Sequence, residues 1–245
     1  MSAEELQIVE NILEGFLNPE KKVRDQAQIK FNELSNNFAA LIFCLSKVIQ
    51  ESSKLQNKTF ACVALRKLVE VKASEIGNPK WEKIDLQLKE TIKLNLLTAL
   101  VNNTQNSLNS KICDTICTVA SNIYELEEKW DDLIKYLVNN FSADYNVNTA
   151  EHVENSLNIL SQIYLMNYDE FHKSSNLFIE CFKKYFATDN LSLRTKTISC
   201  ISEMISSTEK KHLKVYRQFS MNILETILKC ADNPKEENNV TIFLF

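Results

Sequence analysis

The sequence predicts an all-α protein built from stacked helix pairs, and three observations carry that prediction. Its 245 residues include only two glycines and three prolines, whereas a sheet protein needs many turns with positive φ, which glycine supplies without steric cost. Apolar residues recur at helical spacing along nearly the whole chain. The helices so marked fall into pairs of about 40 residues, and an isolated pair of that kind cannot bury both of its apolar faces without neighbours.

Taken in order, Leu6, Val9, Leu13, Phe16 and Leu17 form one face of a first helix, opened by a capping box from Ser2 to Glu5. Asn18-Pro19 stops it, and Pro19 suits the first position of the second helix, where its missing N–H costs nothing. That helix turns Val23, Ala27, Phe31 and Leu34 inward and breaks at Asn36-Asn37. A third helix buries Leu41, Leu45, Val48 and Ile49. A fourth, from about Gln56 to Val71, buries Phe60, Val63, Ala64 and Leu68. Gly77-Asn78-Pro79 is the clearest breaker in the chain. A long helix then runs from about Lys83 to Asn102 with Leu86, Ile92, Leu96, Leu97 and Leu100 inward. Further helices are expected near 107–125, 131–142, 149–166, 168–186, 191–206 and 211–231, with residues 237–245 starting another.

Paired, these give five to six repeats in one array, near 1–36, 37–74, 82–125, 129–166, 168–207 and 211–245, the last incomplete. The period is that of HEAT and armadillo-type units. Second helices are expected to line a concave side. The apolar end Val240-Thr241-Ile242-Phe243-Leu244-Phe245 contrasts with the polar outer face of a capping repeat, so the chain is expected to be the front of a longer solenoid.

The net charge of −4 and the scattered basic pairs Lys21-Lys22, Lys183-Lys184 and Lys210-Lys211 argue against direct nucleic-acid binding and suit a basic protein partner. The longest apolar run, Phe38 to Leu45, is too short to span a bilayer, and the amino terminus lacks the pattern of a signal peptide. A soluble intracellular protein without a membrane partner is expected. Seven scattered cysteines read as reduced thiols.

The stretch KICDTICTVASNIY, residues 111–124, places Cys113 and Cys117 on one strip of a helix beside Ile112, Ile116, Val119 and Ile123. Lys111, Asp114, Thr118 and Asn122 point the other way. A zinc site needs a second ligand pair, and His152, His172 and His212 stand alone on separate helices. The thiols therefore read as small core residues. No metal or cofactor is expected. The sequence holds no phosphate-binding glycine loop, nucleophile elbow or zinc-protease motif, so no enzyme is expected.

SKICDTICTVASNIYELEEKW, residues 110–130, resembles the second helix of the third HEAT repeat in importin-β-type (karyopherin-β) nuclear transport receptors, most of all the branch importing ribosomal proteins and histones. NPEKKVRDQAQIKFNEL, residues 18–34, is similar to the signature of the first repeat, and KTFACVALRKLV, residues 58–69, to that of the second. The resemblance covers residues 1 to about 140 through these motifs, and the rest through period and helix pattern.

The resemblance implies a nuclear import receptor segment without chemistry of its own, working in cytoplasm and nucleus and at the nuclear pore. Its partners would be Ran in its GTP form, basic protein cargo, and phenylalanine-glycine nucleoporins in slots between outer helices. Carried onto this chain, the Ran-facing candidates on second helices are Arg24, Gln28, Lys58, Arg66, Lys111 and Asp114. Each also reads as part of a solvated helix face, and Arg66 as a rung between neighbouring repeats. Glu125, Glu127, Glu128, Asp131 and Asp132 form a possible patch for a basic partner. The alternative for these acids, best for Asp131 and Asp132, is a helix start complementing its macrodipole. Phe171, Phe178, Phe182, Tyr185 and Phe186 read as core more readily than as a slot. The alternative function is a HEAT scaffold or regulatory subunit unrelated to Ran.

Overall fold

The computed structural model describes residues 3–70, 78–143, 149–208 and 210–231. Every regular element among them is a helix. The chain forms two compact units, Met1–Trp130 and Asp131–Phe245.

The first unit contains α1 (Ala3–Phe16), α2 (Lys21–Leu34), α3 (Phe38–Glu51), α4 (Leu55–Val69), the short α5 (Pro79–Glu82), α6 (Leu86–Asn102) and α7 (Asn106–Glu125). The pairs are α1 with α2, α3 with α4, and α6 with α7. They stack so that α3 packs on α1 and α6, while α4 packs on α7. Short polar side chains set the starts. Asn37 accepts from the Ala40 N–H, Asp85 from Gln87 and Leu88, and Asn78 from Lys80 and Trp81 with Pro79 as the first helical residue. Each satisfies backbone donors that a helix start leaves open.

Several expectations shift. The second helix begins at Lys21 and not at Pro19. There Asn18 accepts from the Glu20 N–H at 2.9 Å, turning the chain before the helix starts. Leu86 is the first residue of α6 and is 68% exposed, and Leu17 lies just past α1 and is 45% exposed. Ile12 is buried in their stead on α1. On α4 the buried face is Ala61, Cys62, Ala64, Leu65 and Val69, with Phe60, Val63 and Leu68 half-buried. This helix has neighbours on several sides, α1, α3 and α7, so it carries no single apolar stripe. Phe60 stacks on Phe16 at 5.2 Å between ring centroids. The Ser2 cap, Gly77 and the apolar end 240–245 lie outside the described residues.

The second unit contains α8 (Asp131–Ser142), α9 (Ala150–Ile163), α10 (Tyr168–Lys173), α11 (Ser175–Phe186), α12 (Leu191–Ser207) and α13 (Ser220–Ala231). The helix expected over 168–186 breaks at Ser174, whose N–H bonds to the Phe171 carbonyl three residues back. The tightened turn seats Phe171 between Tyr164 and Phe178, with ring centroids 6.0 and 6.5 Å away. The helix expected from 211 opens instead as a 3-10 segment, Lys210–Phe219. Its three-residue repeat puts Tyr216 and Phe219 on one buried side. Phe171, Phe178, Phe182, Tyr185 and Phe186 are all at most 2% exposed, as the core reading expects.

Gly15 sets the approach of α1 to α2. A Cβ there would lie 2.8 Å from the Ala27 Cβ, closer than two carbons pack. Gly15→Ala is therefore expected to destabilise the first unit by about 1–3 kcal/mol, despite the better helix propensity of alanine. Thermal unfolding checks it, and a raised midpoint would show that the two helices are free to separate.

Candidate functional site

Part of the polar strip of α7 turns toward α4. Arg66 Nη1 donates to Asp114 Oδ2 at 3.1 Å, with both side chains about 30% exposed. The next residue of α7, Thr115, reaches one turn earlier on α4, its Oγ1 3.4 Å from the Cys62 carbonyl. Two turns on, Asn122 is fully buried. Its Nδ2 donates to the Val69 carbonyl at 2.7 Å and the Thr118 carbonyl at 3.0 Å, and its Oδ1 accepts from the Asn78 N–H at 2.9 Å. Asn78 Nδ2 donates to the Leu68 carbonyl at 3.0 Å. These amides satisfy the last carbonyls of α4, which are closed off from water. The Asn122 role was missed in the sequence. The signal was there: Asp114, Thr118 and Asn122 recur every four residues beside an apolar face.

The other candidates on second helices have local partners. Arg24 Nη1 donates to the Asn18 and Pro19 carbonyls at 2.9 and 2.6 Å, tying α2 to the turn before it. Gln28 donates to Asn32 on its own helix. Lys58 Nζ caps the end of α3 through the Gln50 carbonyl at 3.1 Å. Lys111 is half-buried on α7, and its carbonyl accepts from Thr115 Oγ1. The structure thus joins Arg66 to Asp114 and gives Arg24, Gln28 and Lys58 roles close to home.

The acidic segment resolves into separate duties. Glu125 accepts from Ser121 at 3.3 Å. Glu127 adopts the left-handed φ of 57° that ends α7. Its N–H bonds to Tyr124 and that of Glu128 to Ile123, which is the Schellman pattern. Glu128 Oε1 holds Lys89 Nζ at 2.6 Å, and that lysine is only 4% exposed and lies 5.9 Å from the Trp81 ring centroid. Lys93, 6% exposed, bonds to Glu90 and to the Lys129 carbonyl. Glu128 therefore neutralises a buried cation. In the second unit, Asp131 and Asp132 occupy the first turn of α8, and Asp132 pairs with Lys135 at 3.0 Å, consistent with the macrodipole reading.

Cys113 and Cys117 are 1% and 5% exposed. Burial pushes the Cys117 thiol well above its ordinary value, and pushes Cys62 up to about 12 and Cys44 to about 11. Among the described residues no group of three or more histidine, cysteine or acidic side chains is placed to hold a metal, and no helix is long and apolar enough to cross a membrane.

Helix pairs joined side by side through polar rungs define an all-α HEAT-type solenoid. A family model described as "IPO5-like, TPR repeats" matches residues 104–244, more than half of the chain, and the protein belongs to that family. Among solved structures the chain is similar to Kap121p, with TM-score 0.78 and 16% identity over 98% of this chain and 22% of that one. It is similar to Kap121p bound to RanGTP, with TM-score 0.75 and 15% identity over 98% and 21%. It is also similar to Kap121p bound to Nup53p, with TM-score 0.78 and 16% identity over 98% and 22%. The chain thus spans little more than a fifth of the length of those proteins, and at such identity the likeness is one of fold.

Two outcomes follow from this geometry. Asn122→Ala strands the Val69 carbonyl and the Asn78 N–H, and is expected to cost about 2–4 kcal/mol in denaturant unfolding of the first unit. A loss below about 0.5 kcal/mol would mean that the α4 end is hydrated. Cys62, Cys113 and Cys117 are expected to resist a thiol probe at pH 8 in the folded chain and to react once it is unfolded. Because the folded pKa of Cys62 and Cys117 lies above the unfolded one, their contribution to stability is complete below about pH 8.5 and is lost as pH rises toward the folded values.

Proposed function

We propose that this chain is the Ran-binding front segment of a nuclear import receptor. The observation that carries the reading is membership of the IPO5-like family over residues 104–244, joined to the three importin-β-type stretches within residues 18–130. The likeness of fold to a karyopherin bound to RanGTP supports it. The second helices α2, α4 and α7 form the Ran-facing surface, with Arg24, Gln28, Lys58, Arg66, Lys111 and Asp114 as contact candidates. Ran in its GTP form and cargo bind in competition or through coupled curvature of one stack. The cargo class is basic protein, ribosomal proteins and histones among them, in keeping with the net charge of −4. A solved relative is bound to Nup53p, which supports nucleoporin contacts on the outer helices. A cavity of about 130 Å³ against α1 and α3, lined by Ile8, Val9, Ala40 and Leu41, has the apolar character such a contact needs. The segment shuttles between cytoplasm and nucleus through the pore and carries neither cofactor nor catalysis.

A second reading, a HEAT scaffold indifferent to Ran, draws on one observation. Arg24, Gln28 and Lys58 all have intramolecular partners. Binding of the 245-residue chain to Ran loaded with GTP or GDP separates the two. The receptor reading expects at least about a tenfold preference for the GTP form, a coupling of about 1.4 kcal/mol. Equal affinity or no binding favours the scaffold.

A further inference from the structure

A cavity of about 310 Å³ lies along α4, lined by Val63, Arg66, Lys67 and Glu70 from that helix and Thr118 from α7. The four α4 positions share one helix face. Arg66 is the inner charge. Asp114 accepts only from its Nη1, and the Arg66 Nε–H is buried without a hydrogen-bond partner. A guanidinium offers Nε and the other terminal nitrogen as a fork that matches the two oxygens of a carboxylate, and that edge is unclaimed. An ion pair whose members are both near 30% exposed contributes little and rearranges easily. A small rotation about its one hydrogen bond turns the unclaimed edge into the cavity.

We propose that this cavity is a socket for an aspartate or glutamate side chain of a docking protein. Arg66 grips the guest carboxylate by the open fork, while Asp114 keeps the guanidinium extended toward α7. Lys67 and Glu70, both exposed at the rim, offset one another as Asp114 offsets Arg66, so the open hydrogen-bond fork of the arginine, and not a net charge, is what the guest carboxylate meets. The socket rests on the receptor reading of this surface and adds to it the chemistry that the partner must bring.

The test uses the ¹⁵N-labelled 245-residue chain, the peptide acetyl-Gly-Glu-Gly-amide and its glutamine counterpart. Arg66→Lys identifies the Arg66 Nε–H signal by its loss. The socket expects that signal to shift saturably with the glutamate peptide and to ignore the glutamine peptide. It expects Asp114→Asn, which removes the competing carboxylate, to tighten the peptide at least about threefold. Against Ran·GTP, Arg66→Lys is expected to weaken binding at least about tenfold, because lysine lacks the fork, and Asp114→Asn to weaken it by less. A purely structural pair would respond alike when broken from either side. Absence of a saturable shift, or equal loss in both variants, overturns the socket. A saturable shift in a chain that ignores Ran·GTP upholds the socket and overturns the receptor reading.

Discussion

The buried end of α4 is the constraint on which the first unit depends. A helix leaves its last carbonyls without partners, and here they face another helix in place of water. Asn78 and Asn122 are the donors that answer them. The consequences run outward. Fixing Asn78 fixes the start of α5, which buries Trp81. The Trp81 ring lies beside the Lys89 ammonium, and Lys89 in turn holds Glu128 just past α7. One amide on α7 is thus connected, contact by contact, to the turn that ends the same helix.

Packing differs between the two units in a way that follows from composition. On α4 and α7, which pack together, many of the buried residues are small: Ala61, Cys62, Cys113, Cys117 and Ala120. Small side chains bring backbones near enough for side-chain amides and hydroxyls to reach carbonyls on the neighbouring helix, and the rungs exist because of that closeness. In the second unit the space is filled by rings, with Phe141 against Phe178 at 5.5 Å and Phe182 against Phe219 at 6.1 Å. Cross-helix polar links occur there too, as in Cys181 Sγ to the Phe141 carbonyl at 2.8 Å and Lys196 to Glu154 at 2.5 Å. The cysteines accordingly serve as spacers, and burial raises the thiol pKa of Cys62 and Cys117.

Much of the fold was legible because it depends on period and punctuation. The start and end of α8 were readable from Asp131 and Ser142, and so were the buried Ile112, Cys113, Ile116, Cys117, Val119 and Ile123 of α7, whereas Asn122, read as pointing the other way, is fully buried. What was not legible had a common cause. The α4 stripe was misread because a helix with three neighbours has no single inward phase. The break at Ser174 reflects aromatic seating that no local signal encodes. In the candidate site, the rung between Arg66 and Asp114 was foreseeable as a type, but not its partner, 48 residues away. The acidic segment looked like one patch because sequence shows charge without showing Lys89 beneath it.

The two tryptophans of the chain, Trp81 and Trp130, are both buried in the first unit. Indole emission from this protein is therefore a private reporter of residues 1–130. The second unit, with tyrosines but no indole, stays dark to excitation at the red edge of the absorption band. A single optical cell can follow the first unit through a titration or a melt while circular dichroism sums both, and any gap between the two curves measures how independently the units come apart.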